Sequence, residues 1–138
     1  MIRKGLMLML LMGLTLGGLQ AQTGDDAARL VQKQLDAYNA RDIDAFVAVY
    51  SDSVKVYNFP NALQYTGNAT MRSRYGGFFA RTPDLHCTLV NRMVLGNVVI
   101  DQESVIFNKN NPPSKVIAMY KIANGKISEV YFIRPDQQ

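Results

Sequence analysis

The sequence predicts an α+β domain whose helices lie mainly in the amino-terminal half and whose strands lie mainly in the carboxyl-terminal half. Apolar residues recur at helical spacing along much of the first half, with one strand-like run among them. After Pro83 the chain becomes rich in β-branched residues and is divided by short turns. Elements segregated in this way pack with the helices on one face of a curved, mostly antiparallel sheet. Such a sheet forms a cone with a hole at its wide end.

The first residues are predicted to form a secretory signal peptide, residues 1–21, preceding the domain at 22–138. A short positive start is followed by an apolar run with several glycines, and Ala21 precedes a polar stretch. A retained amino-terminal anchor is the alternative. Cleavage would place the domain in the periplasm or outside the cell, with no stable membrane anchor.

Charge and cysteine content limit the classes of partner. The formal net charge of the 138 residues is +4, and Arg3 and Lys4 of the predicted signal contribute two of these charges. The other Lys and Arg residues are scattered, so no nucleic-acid partner is expected. Cys87 is the only cysteine and cannot form an internal disulfide bond. Stability must therefore come from packing, with Cys87 as a small buried residue.

The amino-terminal half is predicted to contain three helices and one strand. The first helix carries apolar residues on one face from Ala27 to Tyr38, and Asp42 can cap a short second helix. The run "SVKVYNF" favours a strand that ends at Pro60. The stretch "GNATMRSRYGGFFART" predicts a third helix or helical pair, weakened at Gly76-Gly77.

The carboxyl-terminal half is predicted to contain four strands in two hairpins. The first two strands are joined at Gly96-Asn97, and a loop "KNNPP" follows them. The last two are joined at Asn124-Gly125, a pair of residues that favours a type I′ turn.

Several strings resemble the SnoaL-like branch of the NTF2-like superfamily, which includes ketosteroid isomerases and limonene epoxide hydrolases. They are "VQKQLDAYNARDIDAFVAVYSDSVKVYNFP", "YTGNATMRSRY", "FFARTPDLHC" and "YKIANGKISEVYFIR". The resemblance implies an NTF2-like cone of three amino-terminal helices on the sheet. It also implies a homodimer formed through the sheet, and cofactor-free chemistry or ligand binding. The fold alone does not define a reaction.

The reactive groups of the ketosteroid isomerases are missing at the positions that the resemblance assigns. The oxyanion-hole tyrosine corresponds to Gln34, the proton-shuttling aspartate to Asn58, and the late-strand aspartic acid to Ala118. Amides donate hydrogen bonds but cannot act as carboxylate bases. Two supporting aromatic residues are retained as Tyr50 and Tyr75.

The catalytic set of the epoxide hydrolases is also missing. The positions of its Asp-Arg-Asp set correspond to Gln102, Ser104 and Phe132. An asparagine before a hydrophobic residue and a proline is retained as Asn58-Phe59-Pro60. A scaffold that lacks both sets of bases predicts a ligand-binding protein or a different reaction.

Asn58 is the leading candidate for contact with a ligand. An amide directed into an apolar cavity would orient a carbonyl or hydroxyl group. The alternative is a turn asparagine that bonds its own backbone. The other ligand-binding candidates are Gln34, Tyr38, Gln102, Tyr120 and Arg134. A solvated terminal side chain is the alternative for Arg134, which could also close the cone or bind an acidic ligand.

Asp101 and Glu103 are two residues apart and share one face of a strand. The resemblance directs Gln102 and Ser104 into the cone, so the two carboxylates are predicted to face outward, where they could pair with Arg92 or Lys121 or lie in a dimer interface. A register different by one residue would reverse every side chain and make both carboxylates catalytic candidates.

His86 is the only histidine, and no metal-ligand spacing surrounds it. Because His86 and Cys87 are adjacent in a predicted strand, they point to opposite faces and cannot form a thiol–imidazole dyad. His86 is a weak catalytic candidate as a lone acid or base. No metal and no cofactor is expected.

The sequence therefore predicts that the domain binds a small, largely apolar molecule in its cone. One alternative is a cofactor-free isomerase, hydratase or cyclase. Another is a non-catalytic dimerisation module that uses the sheet face. A polar-lined cavity of roughly 300 Å³ or more favours ligand binding, whereas a cone filled by its own aromatic side chains favours the module.

Overall fold

The computed structural model describes residues 24–135, so the predicted signal peptide lies outside the described residues. Three helices and six strands follow one another along this part of the chain. The helices are α1 (Gly24–Ala40), α2 (Ile43–Ala48) and α3 (Asn68–Arg81). The strands are β1 (Tyr50–Asn58), β2 (Ala62–Thr66), β3 (His86–Leu95), β4 (Val98–Ile106), β5 (Ser114–Ala123) and β6 (Lys126–Ile133). None of the helices between residues 24 and 135 has both the length and the apolar character needed to cross a bilayer.

The six strands form one curved, open sheet in the order β2-β1-β6-β5-β4-β3. Within residues 24–135, β1 and β6 run parallel and every other neighbouring pair is antiparallel. The predicted α+β class, with helices packed on a curved and mostly antiparallel sheet, is confirmed. Strand β2 was not predicted, because its short and largely exposed sequence carries little apolar alternation.

Local sequence signals determine where several elements begin and turn. The Asp42 side chain accepts a hydrogen bond of 3.0 Å from the amide of Ala45, as the predicted helix cap requires. Asn124 and Gly125 have positive φ angles of 51° and 71°, which a type I′ turn needs at both central positions. Helix α3 continues through Gly76 as one helix.

An aromatic cluster packs between the helices and the sheet. Phe46 from α2 lies 4.5 Å from the Tyr75 ring of α3 and 5.1 Å from that of Tyr50, measured between centroids. Tyr38 of α1 packs against Phe79 at 5.6 Å. Burial of these rings supplies much of the apolar stabilisation of a chain without disulfide bonds.

Asn39 ties the end of α1 to the beginning of the edge strand β3. Its amide nitrogen donates to the carbonyl of Cys87 at 2.9 Å, and its oxygen accepts from the Cys87 amide at 2.8 Å. The two bonds satisfy the backbone N–H and C=O groups of Cys87. They fix the position of Cys87 beside α1, where its side chain is buried.

Candidate functional site

A cavity of about 340 Å³ lies between the helices and the sheet. Helices α1 and α3 contribute one side, and inward-facing side chains of the strands contribute the other. The wall therefore combines apolar side chains with polar ones, as small-molecule sites generally do. Its lining residues are Gln34, Leu35, Tyr38, Val56, Asn58, Gln64, Tyr65, Arg74, Tyr75, Phe78, Cys87, Glu103, Val105, Phe107, Val116, Tyr120, Phe132 and Arg134.

The orientation of β4 is the reverse of the one predicted. Asp101 is fully buried and Glu103 is 6 % exposed, whereas Gln102 is exposed and does not line the cavity. The prediction that Gln102 faces the cone is therefore wrong, as is the prediction that the two carboxylates face outward. Apolar residues occupy both faces of this strand, so its hydrophobic pattern does not define the register.

An ion pair with Arg92 allows Asp101 to be buried. The Arg92 guanidinium donates to both carboxylate oxygens of Asp101 at 2.7 Å, from the neighbouring strand position. It also donates to the side-chain oxygen of Gln32 at 3.0 Å and approaches the carbonyl of Ala28 at 3.4 Å. A bidentate, further hydrogen-bonded guanidinium offsets the desolvation of a buried carboxylate. The predicted pairing with Arg92 occurs, but on the inner face.

Glu103 is the carboxyl group of the cavity wall. Burial, and after it the negative charge of Asp101, raises the pKa of Glu103 from 4.5 to about 7. Hydrogen bonds from the Cys87 thiol and the Tyr120 hydroxyl, whose oxygen lies 3.4 Å from the carboxylate, act in the opposite direction. A carboxyl with such a pKa is populated in both protonation states near neutral pH, which general acid–base chemistry requires.

Buried polar groups connect Glu103 to α1. The Tyr120 hydroxyl lies 3.5 Å from the side-chain oxygen of Gln34, and Gln34 also hydrogen-bonds with Tyr50. Burial raises the pKa values of Tyr50 and Tyr120 well above the ordinary tyrosine value, so both hydroxyls remain protonated donors. Gln34, Tyr38 and Tyr120 all line the cavity, as the sequence predicted for their positions.

Two further polar groups in the cavity wall are open to a ligand. The Asn58 side chain, at the end of β1, makes no hydrogen bond within residues 24–135, so no turn bond holds it. The buried hydroxyl of Tyr65 interacts with that of Tyr75, but forms no hydrogen bond of normal geometry among the described residues. Because a poorly satisfied buried hydroxyl is costly, a bound polar group would stabilise this wall.

Two arginines lie where the cavity meets the surface. Arg74, on α3, places its guanidinium 4.7 Å from the centre of the Tyr65 ring. Arg134, just after β6, places its guanidinium 5.9 Å from the centre of the Phe132 ring. Both arginines are exposed, and both line the cavity.

The remaining candidates lie away from the cavity. His86 is exposed at the start of β3 and is not among the lining residues. Ala118 is buried opposite Asp101 in the β4–β5 register. Among residues 24–135 there is no group of three or more His, Cys, Asp or Glu side chains that could hold a metal ion.

Sequence reasoning did not select Tyr65, Arg74 or Cys87 as site residues. Arg74 lies on the exposed face of a helix, and Tyr65 lies on the unpredicted strand β2. One signal was available for the β4 register. Counting pairs outward from the Gly96-Asn97 turn places Arg92 opposite Asp101, and such a charge pair permits a buried carboxylate.

Comparison with known proteins identifies the family to which this chain belongs. The model of the SnoaL-like domain family matches residues 31–130, which is most of the chain. The chain therefore belongs to the SnoaL-like domain family. No curated protein sequence matches it.

Solved structures share the NTF2-like fold. An uncharacterized cystatin-fold protein from Novosphingobium aromaticivorans is 28 % identical, with a TM-score of 0.72 over 78 % of this chain and 97 % of that chain. An NTF2-like protein of unknown function from Cytophaga hutchinsonii is 14 % identical, with a TM-score of 0.66 over 79 % and 89 %. An M. tuberculosis LEH-like epoxide hydrolase is 16 % identical, with a TM-score of 0.70 over 80 % and 79 %. The last two likenesses concern the fold alone.

Proposed function

We propose that this protein binds a small, largely apolar molecule in the cavity of its cone. The observation that carries the proposal is the cavity of about 340 Å³, which the chain's own aromatic side chains leave open. Its size falls within the range of small-molecule sites, and its wall combines apolar and polar side chains. The Asn58 side chain makes no hydrogen bond within residues 24–135, and the Tyr65 hydroxyl meets only Tyr75 without normal hydrogen-bond geometry. Both favour a ligand that carries a carbonyl or hydroxyl group.

The first test is to look for the ligand in the protein itself. We expect native mass spectrometry of protein purified from its own source to reveal a bound small molecule. Thermal-shift measurements would then compare how strongly steroids, terpenes and polyketides raise the unfolding temperature. Absence of any bound molecule, together with no thermal shift across these three classes, would contradict the proposal.

Replacing Asn58 by alanine is expected to weaken binding of the molecule found in this way. Loss of one hydrogen bond in an apolar cavity corresponds to an increase in Kd of about tenfold. Titration calorimetry would measure it, with Gln102→Ala as the matched control, because Gln102 is exposed on the opposite face of the sheet. Equal affinities of the Asn58 variant and the wild-type protein would remove Asn58 from the site.

A second candidate function is cofactor-free proton transfer, and the inward-facing Glu103 favours it. The Glu103 carboxylate would take a proton from the carbon beside a carbonyl group of the ligand. In a ligand with a carbon–carbon double bond next to that carbon, the protonated side chain would then return the proton to the far carbon of the double bond, which moves the double bond into conjugation with the carbonyl group with no net oxidation. A hydrogen bond from the Asn58 amide is available to the developing enolate.

Deuterium exchange tests this second function directly. We expect the protein to catalyse exchange of the α-hydrogens of a bound ketone in D₂O, measured by NMR on steroid, terpenoid and polyketide ketones. The exchange rate should rise with pH through the titration of Glu103 at about 7. Binding of a ketone without faster exchange of its α-hydrogens would contradict the catalytic function and leave the proposed ligand binding intact.

The homodimer and the periplasmic or secreted location remain predictions. Met93 and Ile117, 58 % and 37 % exposed on the outer face of the sheet, support self-association through that face. The apolar run before Ala21 supports export.

A further inference from the structure

The charges of the cavity are arranged asymmetrically. Glu103 lies on its buried wall, while the guanidinium groups of Arg74 and Arg134 lie at its exposed rim. Within residues 24–135 neither arginine lies within ion-pair distance of a carboxylate. The ion pairs in this part of the chain involve Arg29, Arg72, Arg92 and Lys121. The rim therefore carries two positive charges that no carboxylate within residues 24–135 neutralises.

Each guanidinium is positioned by the face of an aromatic ring. Arg74 lies over Tyr65 and Arg134 over Phe132, and both rings also line the cavity. Stacking on a ring restricts the guanidinium while leaving its N–H donors free, and this fork of donors matches the two oxygens of a carboxylate. Both arginines line the same cavity, so each offers its donors to an anionic group of a molecule bound there.

We propose, on the basis of the function proposed above, that the ligand is an organic acid. Its apolar body occupies the cavity, and its carboxylate is held at the rim by Arg74 and Arg134. The acid group then lies away from Glu103, so the two negative groups occupy opposite ends of the bound molecule. A carbonyl or hydroxyl group on the body would reach Asn58.

The inference is tested with pairs of probes that differ only in charge. Titration calorimetry would compare octanoate, phenylbutyrate and naphthylacetate with their methyl esters, using the full mature domain. We expect at least one acid to bind about tenfold or more tightly than its ester. That difference should shrink as salt is added, since the rim is exposed.

Substitutions at the rim identify which groups hold the acid. Arg74→Gln and Arg134→Gln should each weaken binding of the acid about tenfold and leave the ester unchanged. Arg72→Gln is the matched control, because Arg72 lies on the same helix but pairs with Asp44 outside the cavity. This variant should bind the acid as the wild-type protein does.

Three results would overturn the inference in distinguishable ways. Equal affinities of acid and ester would reject the organic acid and leave the proposed ligand binding intact. Acid binding that is insensitive to both arginine substitutions would place the acid elsewhere. Failure of every acid and ester to bind, with no molecule found by native mass spectrometry, would reject both proposals.

Discussion

We expect the variant Glu103→Gln to be more stable than the wild-type protein at about pH 8, by about 3 kcal/mol. Above a pH of about 7 the wild-type protein holds an ionised carboxylate on a buried wall beside Asp101. Glutamine has nearly the same shape and carries no charge, so it avoids the desolvation and the repulsion.

The sign follows from the direction of the pKa shift. Because the pKa of Glu103 is raised from 4.5 in the unfolded chain to about 7 in the folded protein, the folded state binds the proton more tightly. Its contribution to stability is therefore full below the unfolded value and is lost as the pH rises through about 7. Urea unfolding between about pH 4 and pH 8 should show this loss in the wild-type protein and not in the variant.

The same variant separates stability from chemistry. If Glu103 transfers a proton, Glu103→Gln should lose about 100-fold or more in ketone exchange while still binding the ketone. Glu129→Gln is the control, because Glu129 lies on β6 and its pKa is lowered, chiefly by a hydrogen bond from Tyr131. A wild-type protein whose stability varies with pH as that of Glu103→Gln does would contradict the assignment.

The variant Asp101→Ala is expected to lower the free energy of unfolding by about 3 kcal/mol or more. Asp101 is fully buried, and the side chain of its partner Arg92 is 14 % exposed. Removal of the carboxylate leaves a guanidinium in the interior without its counter-ion, although Gln32 and the carbonyl of Ala28 still hold it in place. In this variant the negative charge of Asp101 no longer raises the pKa of Glu103, while the positive charge of Arg92 still lowers it. The pKa of Glu103 should therefore fall below its wild-type value of about 7.

A double variant keeps this prediction testable even if Asp101→Ala fails to fold. Asp101→Leu combined with Arg92→Leu removes both charges and should regain most of the lost stability, since apolar pairs replace buried ion pairs well. Asp44→Ala is the control, because Asp44 pairs with Arg72 on the surface and its side chain is 82 % exposed. Equal urea midpoints for Asp101→Ala and Asp44→Ala would show that the buried ion pair contributes no more to stability than the surface pair.

Local sequence signals predicted most of the fold because each acts over a few residues. The Asp42 cap and the Asn124-Gly125 turn are examples, since both depend on the immediate backbone. Strand β2 was missed because an exposed edge strand needs no apolar alternation. It forms a hairpin with the preceding strand β1, and the pairing is irregular between Val56 and Tyr57.

The site residues were predictable where the order of the elements or the resemblance placed them near the cone. Gln34, Tyr38, Asn58, Tyr120 and Arg134 all line the cavity as expected from their places in the fold. The choice between the two faces of β4 was not predictable from alternation, and the structure reversed it.

The sequence by itself determined the family, the helices and strands other than β2, and the absence of an internal disulfide bond, because these depend on residue types and local spacing. Only the tertiary structure decided which carboxylates enter the cone. That choice depends on Arg92, which lies across the neighbouring strand and neutralises Asp101 in the interior. With Asp101 facing inward, the alternation of the strand also brings Glu103 to the cavity wall.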